Sequence, residues 1–332
     1  MMSMAVKSEK SLLICRGCRR SETAGAGITI TIAFSFLIAC SCPAFAAEGG
    51  LSNYVPAFYG DLALAVEPPD GFSFRNDLFY YNGDATRSLR SGEIRIDADV
   101  TLLYEYASFV YKPPGFELFG APVAFGVTGV LGNVDIEAGL DIGGQVARVD
   151  DDATGIGDLT LAAVLYWNRG KVHWSWSNYL VTPVGEYDVD NLANPGVNYW
   201  TFETDFAATY LDEETGRDYS VVVGYGYNSE NDDTNYQSGD EVHVDFVLNQ
   251  FFTESFAVGI NGYFYKQVGG DSGNGAILGG FRGEGAGIGP AVYYIRKIGG
   301  RDVAFVAKWM HDVHAENRIE GDYAYASFMF SF

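Results

Sequence analysis

Four histidines, His173, His243, His311 and His314, are the side chains best suited to moving a proton near neutral pH. His243 and Asp245 lie two residues apart, so in an extended strand both point to one face, as half of a hydrolytic dyad would require. A polar pair lining a wetted interior has the same spacing and is the expectation here. His311-Asp-Val-His314 offers two imidazoles that could hold a metal from a loop, but no third ligand accompanies them and no metal site is expected. Gly-x-Ser-x-Gly, His-Glu-x-x-His and a phosphate-binding loop are missing beyond residue 46, so neither catalytic residues nor a cofactor are expected.

The four cysteines, Cys15, Cys18, Cys40 and Cys42, all fall in a leader. Lys7, Lys10, Arg16, Arg19 and Arg20 precede an apolar run from Ile28 to Ala39, and small residues end at Ala44-Phe45-Ala46. This is the form of a secretory signal peptide cut after Ala46, its core too short to span a bilayer. Leu37-Ile38-Ala39-Cys40 allows a competing cleavage that would leave Cys40 lipidated. In either product Cys15-Arg-Gly-Cys18 is removed and holds no metal.

The 286 residues after Ala46 carry 16 Lys and Arg against 41 Asp and Glu, a net charge of −25. Such a surface repels nucleic acid and anionic lipid. With 15% aromatic and 48% hydrophobic residues the chain is nonetheless rich enough to fold. No later stretch approaches 18 uninterrupted apolar residues, so no transmembrane helix is expected.

The elements that must carry the polar residues are strands. Ile94, Ile96, Ala98, Val100, Leu102, Tyr104 and Tyr106 alternate with Arg95, Asp97, Asp99, Thr101, Leu103 and Glu105, a period of two sustained too long for a helix. The same alternation recurs at 123–127, 134–142, 159–167, 172–176, 200–206, 219–225, 242–248, 256–260, 288–297, 303–309 and at the C-terminus. Twelve strands follow from Gly92 onward; fourteen is the alternative if two doubtful segments before it are included. The last strand ends Phe328-Met-Phe330-Ser-Phe332, aromatics on one face with Ser327 and Ser331 on the other, the usual ending of an outer-membrane barrel and the form its assembly machinery would read.

Connections alternate in length. Short turns are expected at Gly132-Asn133, 168–170, 212–217, 252–254 and 298–301, long loops at 112–119, 148–156, 183–198, 228–239, 268–287 and 312–321. That alternation predicts an all-β transmembrane antiparallel up-and-down barrel over 93–332, with brief periplasmic turns and longer outer loops. Residues 47–92, which hold Pro56, Pro68 and Pro69, are expected to form a periplasmic or lumen-plugging segment. Twelve strands about 4.8 Å apart and tilted roughly 40° give a diameter of about 24 Å and a bore near 10 Å.

With apolar faces turned to lipid, the opposite phase supplies the candidate lumen and selectivity residues: Arg95, Asp97, Asp99, Glu105, Asp135, Glu137, Asp158, His173, Glu203, Asp205, His243, Asp245 and Lys308. Most are expected only to hydrate or brace the interior. Asp150-Asp151-Asp152 and Glu230-Asn-Asp-Asp233 are placed in outer loops, where they are expected to be solvated or to bridge through divalent cations to lipopolysaccharide.

Gly155-Ile-Gly-Asp-Leu-Thr-Leu161, Asn235-Tyr-Gln-Ser-Gly-Asp-Glu241 and Gln267-Val-Gly-Gly-Asp-Ser-Gly273, followed by Gly287-Ile-Gly-Pro290, resemble the outer-membrane meta-pathway phenol-degradation family. The resemblance implies a barrel of the bacterial outer membrane linked to aromatic-compound breakdown, with no catalytic residue to carry over. Barrel parity, bore and resemblance together lead to an expectation of passive uptake of small hydrophobic or aromatic solutes. The alternative is a structural or surface-binding barrel held shut by residues 47–92.

Overall fold

The computed structural model describes residues 52–58, 61–89, 94–142, 145–276, 280 and 282–332, and of these the side chains of 86–89, 94–96, 140–142 and 145–146 are left aside. The leader, its cysteines and the side chain of Arg95 therefore lie outside the described residues.

Among the described residues there are sixteen strands: β1 (Gly71–Leu89), β2 (Ile94–Lys112), β3 (Glu117–Leu118), β4 (Ala121–Ile142), β5 (Gln145–Ile156), β6 (Leu159–Arg169), β7 (Val172–Thr182), β8 (Thr201–Asp212), β9 (Arg217–Asn228), β10 (Glu230–Asn231), β11 (Tyr236–Gln237), β12 (Glu241–Thr253), β13 (Phe256–Gln267), β14 (Glu284–Ile298), β15 (Arg301–Glu316) and β16 (Glu320–Ser331). Each long strand pairs antiparallel with its sequence neighbour, β1 pairs with β16, and the ring is complete. β5 and β6 are two halves of one stave: β4 pairs with β5 through Leu131–Ile142 and with β6 through Val123–Thr128. Counted so, with the short β3, β10 and β11 set aside, the barrel has twelve staves. Closure leaves no sheet edge in lipid, where an unpaired backbone group would cost several kcal/mol, roughly. No helix among the described residues is long and apolar enough to cross a membrane; the crossing is made by strands.

Twelve is the expected number, but two staves differ from the expected ones. Gly71–Leu89 forms the first stave, paired over its whole length with β2, so the barrel begins at Gly71 rather than at residue 93. Gly132-Asn133, read as a turn, lies inside β4. A Cβ on Gly132 would stand 2.0 Å from the Tyr104 ring, so the glycine admits an aromatic from β2 rather than reversing the chain. Arg148–Ile156 is strand, not loop. The 113–120 connection consequently falls at the mouth that holds Gly71 and Phe332, not at the far mouth.

The outer surface carries an apolar belt that includes Leu78, Phe109, Phe125, Val127, Phe206, Val223, Ile260, Val292 and Phe305, all exposed. Trp174, Tyr210, Tyr219 and Tyr294 edge it near the terminal mouth, and Tyr80, Trp200, Tyr225 and Tyr227 edge it at the far side, the aromatic girdles of a membrane barrel. Phe328 and Phe330 face the same belt against Phe74, while Ser327 and Ser331 turn inward to Asp77 and Ser73.

Candidate functional site

β1, β2, β4 and β5 rise beyond the belt, and there the polar phase changes sides. Val100 and Leu102 of β2 and Val134 of β4 are buried on the inner face, whereas Asp99, Glu105, Asp135 and Glu137 are exposed outside, with Asp97 on the same outer phase. Strand register sets Glu320, Asp84, Asp99, Glu137 and Asp150 side by side across five strands. Carboxylates so placed need water, so this wall stands in solvent outside and is apolar inside. The expectation that Asp97, Asp99, Glu105, Asp135 and Glu137 line the lumen is thus corrected. Glu105 instead accepts a hydrogen bond from Asn76 on the outer face.

On the opposite side of the barrel the polar phase faces inward. Glu203, Asp205, His243, Asp245 and Lys308 are buried in the interior, and His173 shares the inward phase of Ser175 and Ser177. Asp158, at the break between β5 and β6, has another task. It accepts hydrogen bonds from the amides of Gly185 and Val197, each at 2.8 Å, pinning both ends of the 183–200 loop to the wall. Of the acidic run at 150–152, Asp151 turns inward and accepts from the amides of Leu192 and Ala193 in the same loop.

The lumen is filled by the segment before β1. Asn53 donates to Thr201 near the far mouth at 2.6 Å, Tyr54 donates to Asp245 at 2.8 Å, and the Ala57 amide donates to the same carboxylate at 3.0 Å. Further down, the Ala63 amide donates to Asp218 and the Ala65 amide to Thr209. Lys308 donates to the Ala57 carbonyl at 2.7 Å and pairs with Asp61 at 3.1 Å; Asp61 also pairs with Arg75, and Tyr325 donates to the Pro56 carbonyl. These partners are spread over six staves, so the plug is tied around the ring.

Two plug groups carry shifted acidities. Burial opposes charge on Asp61, but the Arg75 and Lys308 cations outweigh it and hold the carboxyl below the usual carboxylate range. Burial, reinforced by the neighbouring Asp245 carboxylate, pushes the Tyr54 hydroxyl well above the usual phenol range, so it remains a donor.

Above the plug lies a cavity of about 150 Å³ between the inner faces of β1 and β2, the 183–200 loop and Arg318-Ile319. Phe79, Tyr81, Tyr104, Tyr106 and Tyr323 form its aromatic wall and Tyr54 its floor. A volume of about this size has room for a benzene ring, and Asn53, Asp158, Asn194 and Arg318 add polar groups to the lining. Sequence reading missed this wall because alternating tyrosines beside apolar residues look like a lipid face. It missed Tyr54 and Asp61 because Asp245 and Lys308 lie far along the chain, and Arg75 because its partner Asp61 belongs to an irregular segment whose docking in the bore no sequence period marks.

Comparison with solved structures gives the COG4313 outer membrane channel from Pseudomonas putida F1, at 16% identity over 84% of this chain and 100% of that one, with a TM-score of 0.60. The likeness is one of fold. The translocator domain of the autotransporter NalP from Neisseria meningitidis matches at 10% identity over 81% and 91% of the two chains, TM-score 0.46. The CymD monoaromatic hydrocarbon channel matches at 7% identity over 79% and 89%, TM-score 0.40. No curated protein matches the sequence. Residues 62–328 match the family described as "Putative MetA-pathway of phenol degradation", and the chain belongs to that family.

Proposed function

We propose that this protein is a passive channel of the bacterial outer membrane for small, largely hydrophobic or aromatic solutes. The observation that carries the reading is the aromatic-walled cavity of about 150 Å³ set directly above the plug. Six aromatic residues from three staves and the plug converge on a space the size of a single ring. The family's association with phenol degradation and the fold shared with an outer membrane channel support it. The tyrosine hydroxyls and Arg318 supply polar edges that a phenol or an aromatic acid would use and an alkane would not.

Transit requires the plug to yield, because Tyr54, Ala57 and Asp61 bridge the bore between β12, β15 and β1. Proteoliposomes holding the purified protein should take up phenol or benzoate faster than protein-free liposomes, and aromatic solutes should compete with one another. Uptake at the protein-free rate for every small aromatic tested would reject the proposal and favour the alternative, a closed barrel with a structural or surface-binding role.

A further inference from the structure

We infer that Glu203, Asp205 and His243 form a binding site for a single divalent cation of the Zn²⁺ class in the lumen wall, beneath Tyr54. The ligands come from strands that are not neighbours. β9 lies between β8 and β12, and its Gly224 is opposite both Asp205 and His243 in register. A Cβ on Gly224 would stand 1.9 Å from Nε2 of His243 and 2.4 Å from Oδ1 of Asp205. The missing side chain is therefore what lets the imidazole and the carboxylates meet across an intervening strand.

The separations fit a shared metal better than a shared proton. Nε2 of His243 stands 3.3 Å from Oε1 of Glu203 and 3.5 Å from Oδ1 of Asp205. Ligands at about 2.1 Å from a tetrahedral zinc are about 3.4 Å apart. A charge-assisted N–H···O bond would instead close to roughly 2.7–2.9 Å. Both oxygens of Asp205, a residue 2% exposed, are buried and accept no hydrogen bond of ordinary geometry among the described residues. One donor atom from each of the three residues can be chosen so that all lie within 4.8 Å of one another.

The surroundings complete the arrangement. Nδ1 of His243 meets Oδ2 of Asp245 at 2.7 Å, the carboxylate partner that fixes the ring of a metal-bound histidine and leaves Nε2 to the ion. Glu203, Asp205, Glu241 and Asp245 place four carboxylates, each at most 5% exposed, in one region, where Arg318 stands over the Tyr265 ring that donates to Glu241. Buried charge on that scale is ordinarily offset by pairing or by metal. Tyr54 stacks on His243 with ring centroids 4.4 Å apart and donates to Asp245, so the plug rests on the site. Local sequence shows no such motif because Glu203 and Asp205 share β8 while His243 lies far along the chain on β12.

The full-length protein, refolded into detergent with ZnCl₂ and dialysed, should retain one zinc per chain by elemental analysis. His243→Gln and Asp205→Asn should abolish retention, Asp245→Asn should weaken it by roughly 10–100-fold, and His311→Gln should leave it unchanged. Co²⁺ loaded into the unaltered protein should show the intense visible absorption of a four-coordinate site, a readout that needs no variant. Retention of no zinc by the folded barrel, or stoichiometric retention that survives His243→Gln, would overturn the inference.

Discussion

Replacing Lys308 with methionine should convert a closed barrel into one that opens readily. Lys308 is 3% exposed and its ammonium stands over the Tyr325 ring at 4.4 Å, so methionine occupies a similar space without the charge. What is lost is the 2.7 Å bond to the Ala57 carbonyl and the 3.1 Å pair with Asp61, both of which reach into the plug. Removing one partner of a buried ion pair costs about 3–5 kcal/mol. Arg75 still faces Asp61, which argues for the low end of that range. A loss of about 3 kcal/mol from plug docking multiplies the undocked population by roughly two orders of magnitude. Single-channel recording in planar bilayers measures this as open probability. Heat-modifiable migration of the same preparation checks that the barrel is intact. Lys308→Arg should stay near the parent. An intact Lys308→Met barrel with the parent's open probability would refute the assignment of Lys308 as a latch.

Acid should act on the same contact. The Asp61 carboxyl is held below its usual range, so its ionised form stabilises the docked plug above about pH 4 and that contribution disappears as pH falls through the lowered value. Conductance should rise only on acidification below about pH 4, and Asp61→Asn should flatten the profile; a rise centred near neutrality would assign the response to other groups. Gly132→Ala drives a methyl into the Tyr104 ring and should displace it into the cavity, weakening binding of phenol measured by quenching of tyrosine fluorescence while thermal unfolding shifts only modestly. Asp158→Ala removes the acceptor of two half-buried amide bonds and should free the 183–200 loop, at a cost of about 1–3 kcal/mol, read as faster cleavage there by an external protease.

The period of two and the terminal aromatic signature were legible because a closed membrane barrel imposes that period and cannot hide it, whereas the count of twelve agrees because the omission of β1 offsets the division of β4 in two. Which face is which was legible only where the wall crosses lipid. Along β8, β9 and β12 the outer residues Phe202, Val223 and Leu248 meet the belt, and the polar phase is inward as expected. Along β2 and β4 the same alternation is inverted, since beyond the belt water takes the outer face and Val100, Leu102 and Val134 turn in. A sequence carries the period but not the height at which a residue sits. The two misread connections have local causes: Gly132-Asn133 has turn composition but makes room for a ring, and the Asp150–Asp152 run looks like a solvated loop although alternate members face water and the 183–200 loop. The plug contacts were out of reach altogether, because Tyr54 finds its partner Asp245 191 positions away and Asp61 finds Lys308 247 positions away, or Arg75 in β1.

The inversion also bears on how a solute would pass. Because the tall wall is apolar inside and the opposite wall is acidic and hydrogen-bonded, the lumen has two sides of different character at one height. An aromatic molecule entering from the far mouth gains stacking against Tyr104 and Tyr106 while keeping its polar edge toward Arg318 and the plug. A small ion gains nothing from the aromatic side, and on the other side Tyr54, Ala57 and His243 already hold Asp245. Selectivity would then come from the cavity, and the rate from the plug. The two should separate in mutants: substitutions at Tyr104 should alter which solutes compete while leaving open probability alone, and substitutions at Lys308 should do the reverse. If both properties moved together in either variant, cavity and plug would be one element rather than two in series.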